Sequence, residues 1–112
     1  MLTIDRLQEL GVNTKDGLSR CLGNEKFYFR MIGMGLKNDA FEKLSKALAD
    51  GNFDEAFEHA HALKGVVGNL ALTPIYNPLS EMTEMLRAKK DADYVTMYAP
   101  IKEIRDKLVA EL

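Results

Sequence analysis

The 112-residue chain has one cysteine, three prolines and no tryptophan. With Cys21 alone, no intrachain disulfide and no all-cysteine metal site can form. No apolar run approaches the ~20 residues that span a bilayer. Neither sign of charge dominates: 15 basic residues stand against 17 acidic ones, a net charge of −2. That balance argues against a protein that neutralises many nucleic-acid phosphates. The expected partners therefore include no nucleic acid and no membrane. Strand signals are missing as well, with no sustained apolar–polar alternation and no Asn-Gly or Asp-Gly hairpin turn. There is no G-x-x-x-x-G-K-[ST] loop and no glycine-rich strand–loop–helix to grip a nucleotide. The chain starts Met1-Leu2-Thr3-Ile4-Asp5-Arg6, charged early and without a hydrophobic signal region, so a cytoplasmic address is expected.

What is present reads as helix. The hydrophobic content of 46% is that of an ordinary globular domain, and the length suits one domain with one sizeable core. Phe53, Ala56, Ala60, Leu63, Val67 and Leu70 are spaced 3, 4, 3, 4, 3, a helical seam, with Asn52 as its N-cap. Thr73 and Pro74 predict a stop and a new start, with Thr73 as cap, ahead of Ile75, Leu79, Met82 and Leu86. Asp91 or Asp93 caps a last helix carrying Tyr94, Met97, Ile101, Ile104 and Leu108. Upstream, Asn24 caps a helix holding Phe27, Met31, Met34, Phe41, Leu44 and Leu48, read as one long or bent helix over 24–50, with Asn38-Asp39 as a possible interruption. Residues 2–22 read as one or two shorter helices. The expectation is an all-α, up-down antiparallel four-helix bundle over 24–112 with an N-terminal helical extension over 1–23.

Residues 60–70, Ala-His-Ala-Leu-Lys-Gly-Val-Val-Gly-Asn-Leu, carry the chemistry. At ~100° per residue, His61, Lys64, Gly65 and Gly68 share one helix face, roughly 120° from the apolar seam. Each mid-helix glycine costs about 1 kcal/mol relative to alanine. On an exposed face that cost suggests a foreign surface coming close to His61. Neutral imidazole is a good nucleophile near neutral pH, and a lysine one turn away offsets charge on phosphoryl oxygens. Histidine, cation and cleared floor together suit an anionic group such as phosphoryl. His59 lies roughly 200° around the helix from His61, so the two rings cannot share a metal. Glu55 and His59 at i, i+4 lack a third ligand in view, and paired Glu-x-x-His motifs are absent, so no metal is expected.

The run His61-x-Leu63-Lys64-Gly65-x-x-x-Asn69-Leu70 resembles the signature of histidine-containing phosphotransfer (HPt) domains. The resemblance extends over about 24–112. It implies that His61 is the phosphorylated residue, that Lys64 stabilises the phosphoryl group and that Gly65 lets a receiver domain approach. Gly68 and Ala62 join them as candidate partner-contact positions. It further implies a phosphorelay intermediate that is not itself an enzyme and binds no cofactor, the Mg²⁺ being held by the receiver. The partners would be receiver domains of response regulators or hybrid histidine kinases, met as a monomer. Ala71 stands where the family often has glycine, and Thr83 or Glu84 stands where family members orient the histidine from the next helix. The rival reading is a helical adaptor, a degenerate bundle of this kind that binds a signalling partner without chemistry.

Overall fold

In a computed structural model covering residues 1–112, the chain forms seven helices and no strand. They are α1 (Ile4–Glu9), α2 (Thr14–Arg20), α3 (Glu25–Leu36), α4 (Ala40–Ala49), α5 (Phe53–Asn69), α6 (Thr73–Arg87) and α7 (Tyr94–Glu111). Five of the seven begin on a side chain that accepts a backbone N–H three residues on: Thr3, Asn13, Asn24, Asn52 and Asp93. Each such cap is worth about 1 kcal/mol, since helix starts leave their first donors unpaired. Thr73 departs from expectation. Its hydroxyl donates to the Ala71 carbonyl, and α6 begins without a side-chain cap, Pro74 alone presetting its first turn.

The stretch over 24–50 is two helices rather than one. Gly33 and Gly35 weaken the helix near its end. The Asn38 carboxamide then accepts from the Ala40 N–H at 2.9 Å and starts α4 afresh. The freed Leu36 carbonyl accepts from Arg105 Nε of α7 at 2.7 Å. Gly35 is needed for a second reason: a Cβ there would sit 2.6 Å from Leu70 Cδ1. The core face of α3 also differs from the expected seam. Tyr28, Ile32 and Leu36 are buried, while Phe27 is half-exposed and Met34 largely exposed. A buried bond from the Tyr28 hydroxyl to the Leu70 carbonyl, 2.9 Å, sets that rotation by tying α3 to the end of α5.

Helices α4, α5, α6 and α7 pack in sequence, and α4 closes the ring against α7. The links between them, 50–52, 70–72 and 88–93, are short, as antiparallel neighbours require. Ala56, Ala60, Leu63 and Val67 present the buried stripe of α5. Phe53, expected to begin that stripe, instead stands half-exposed with its ring edge-on to Tyr94. One apolar cluster runs from Leu2 to Leu108, so α1 and α2 share the bundle's core. The turn after α5 places Ala71 at φ 57°, a left-handed conformation that glycine adopts freely and alanine at a cost. No helix is long and apolar enough to cross a membrane.

Candidate functional site

His61 lies in the third turn of α5, opposite its buried stripe, and is exposed to solvent. Its ring lies nearly parallel to that of Phe57, one turn earlier, with centroids 5.7 Å apart and 15° between planes. Phe57 is half-buried and packs against the core, so this wall does not swing freely. Arg87 of α6 places its guanidinium 4.9 Å from the centre of the same ring.

Neither sequence candidate for orienting the imidazole reaches it. Thr83 is fully buried and its hydroxyl donates to the Leu79 carbonyl at 2.7 Å. Glu84 is turned to cations instead, with one oxygen 3.5 Å from Lys64 Nζ and the other 3.2 Å from Arg87 Nε. Lys64 therefore does not stand free in solvent. Its side chain is three-quarters covered (25% exposed) and leans across to α6. Such partly exposed pairs are worth about 0–1 kcal/mol, so an arriving anion can compete with Glu84 for the ammonium.

The two glycines differ. A Cβ on Gly65 would meet nothing within 4 Å, so no internal contact explains the missing side chain. A Cβ on Gly68 would stand 3.0 Å from the Tyr76 ring. Gly68 thus lies where α6 crosses, and packing against Tyr76 favours a small residue there whether or not a visitor also approaches. Ala62 is exposed beside the histidine.

His61, Lys64, Gly65 and Gly68 line one side of an open concavity of about 620 Å³. Tyr76 and Asn77 of α6 form a second side, and Asp16 and Arg20 of α2 a third. Arg20 is half-exposed and 3.1 Å from Asp16, again a pair weak enough to be redirected. The concavity thus offers two cations, one imidazole and a bare stretch of backbone to an anionic surface.

His59 lies apart from this face and pairs with Glu55 at 3.3 Å. No group of three or more His, Cys, Asp or Glu side chains comes together to hold a metal ion. Sequence reasoning passed over Phe57, Arg87 and Arg20. The Phe57–His61 spacing of one turn was readable, since i and i+4 residues meet on a helix. The arrival of Arg87 and Arg20 depends on how α6 and α2 pack, which no local spacing records.

A sequence model of the Hpt domain matches residues 38–111, which span α4 to α7 and about two thirds of the chain. No curated protein and no solved structure matches the chain.

Proposed function

The chain belongs to the Hpt domain family, whose members are phosphocarriers in phosphorelays, and from that premise we propose that His61 is the residue that carries the phosphoryl group. The observation behind this reading is the exposed His61 imidazole beside Lys64 and above Gly65, whose surface is open.

In the proposed reaction a receiver domain brings an aspartyl phosphate to the concavity. A lone pair on the ring nitrogen farther from the backbone, Nε2, attacks phosphorus. The P–O bond to the aspartate breaks, the carboxylate leaves on the receiver, and a P–N bond forms. The imidazole, neutral at the start, carries positive charge until the proton on its other nitrogen passes to water. Lys64, released from Glu84, faces the phosphoryl oxygens and offsets their charge where it builds up. Reversal against the aspartate of a second receiver completes the shuttle. The chain's own part is to present and release; Mg²⁺ in this reading belongs to the receiver, and Gly65 with Ala62 forms the floor on which the receiver lands.

A purified receiver domain charged with acetyl phosphate is the test. Wild-type protein acquires acid-labile, alkali-stable phosphate, His59→Gln acquires it equally, and His61→Gln acquires none. Equal labelling of His61→Gln would sink the assignment, and the adaptor reading would stand if the receiver bound without labelling wild type.

A further inference from the structure

The phosphoryl-acceptor reading leaves open what holds the His61 ring still, and both candidates suggested by the sequence are engaged elsewhere. A side chain on an exposed helix face samples several rotamers unless something restrains it. The restraint visible here is aromatic. His61 stacks on Phe57, Arg87 lies against the same Phe57 ring, Arg87 bonds Glu84, and Glu84 reaches Lys64. These contacts leave α5 at Phe57, cross to α6, and return to α5 at Lys64. Until an anion draws Lys64 away from Glu84, the imidazole and the ammonium are thereby linked through a second helix.

We propose that Phe57 is the positioning residue of the site, a fixed wall that selects the presented rotamer of His61, and that Arg87 and Glu84 couple that wall to Lys64. The proposal rests on His61 being the acceptor, but the geometry it asserts can be read without any phosphoryl transfer. Phe57 suits the task because it packs on the core and cannot follow the imidazole if the ring turns away. An aromatic wall also tolerates what a hydrogen-bonding partner would not. It leaves both ring nitrogens unengaged, so one can take phosphorus while the other gives up its proton. Stacking on a π face also favours the transient positive charge on the ring.

The test compares Phe57→Leu, which keeps apolar volume but removes the ring, with Phe57→Tyr, which keeps the ring. Phe53→Leu removes an aromatic from the same helix away from His61 and serves as control. The first readout is the proton NMR of the His61 ring, whose signals carry the ring-current shift of Phe57. In Phe57→Leu they should move to the positions of an unrestrained histidine; in Phe57→Tyr and Phe53→Leu they should stay. The second readout is transfer from the charged receiver. Phe57→Leu should lower the saturated rate about 2- to 10-fold, the range an aromatic pair supplies, with the half-saturating receiver concentration unchanged. Phe57→Tyr should restore the rate. His61 signals that stay put in Phe57→Leu, or a rate loss that Phe57→Tyr fails to restore, would overturn the proposal. If wild type takes no phosphate, the acceptor reading fails, and the NMR comparison still decides the geometry.

Discussion

Replacing Gly65 separates folding from docking. The residue lies well inside the 17-residue helix α5, where glycine costs about 1 kcal/mol relative to alanine. A new Cβ meets no atom within 4 Å, so nothing offsets the gain. Gly65→Ala should therefore stabilise the protein by about 1 kcal/mol, close to 4 °C in melting temperature for a domain of this size. Gly68→Ala gains the same backbone preference, but its Cβ falls 3.0 Å from Tyr76 Cε2 and the ring must give way. Its melting temperature should lie below that of Gly65→Ala. Gly65→Gln keeps a good helix former and raises a side chain from the proposed landing floor. It should melt no lower than wild type yet accept phosphate from a charged receiver at least about 10-fold more slowly, since one misplaced group at a docking face loses that much. Thermal denaturation by circular dichroism and timed phosphotransfer are the assays. A destabilised Gly65→Ala would mean the glycine serves the fold, and a Gly65→Gln variant that transfers at the wild-type rate would remove the floor from the mechanism.

Two further outcomes are expected. Lys64→Ala breaks a partly exposed pair with Glu84, so its melting temperature should shift by only a few degrees, while transfer slows by about 10-fold or more; a collapse in stability would show that Lys64 is structural. Glu111 bonds Arg6 through both oxygens, joining the end of α7 to α1. Those bonds hold its carboxyl below the ordinary glutamate range. A carboxyl lowered in the folded state lends stability above its unfolded pKa and loses it as pH falls through the folded one. The melting temperature of Glu111→Gln should thus lie below wild type at neutral pH, and the gap should close as the pH is lowered through and below the ordinary glutamate range. A gap that is constant across that range would dissociate the carboxylate charge from the docking of α1.

Much of this molecule could be read in one dimension. The spacing of Ala56, Ala60, Leu63 and Val67 fixes a helix and its inward face, because only a 3.6-residue period brings those side chains together. The same period forces His61 to the outside and puts Lys64 and Gly65 next to it. Asn24, Asn52 and Asp93 mark helix starts because short polar side chains satisfy orphan N–H groups locally. Where reading along the chain failed, partners distant in sequence decided. Leu70 and Arg105 act at the junction of α3 and α4, and the Tyr28 bond to Leu70 turns Met34 outward.

The site divides along the same line. A helical repeat settled on which face His61, Lys64 and Gly65 lie together, since neighbours on one helix are set by backbone geometry alone, and a short motif is what proposes their roles. The packing of α6 on α5 settled the rest: that Gly68 makes room for Tyr76, that Glu84 attends to Lys64 rather than His61, and that Arg87 backs the aromatic ring beside the imidazole. Contacts between helices depend on how two rigid rods cross, and the crossing is chosen by the whole core at once.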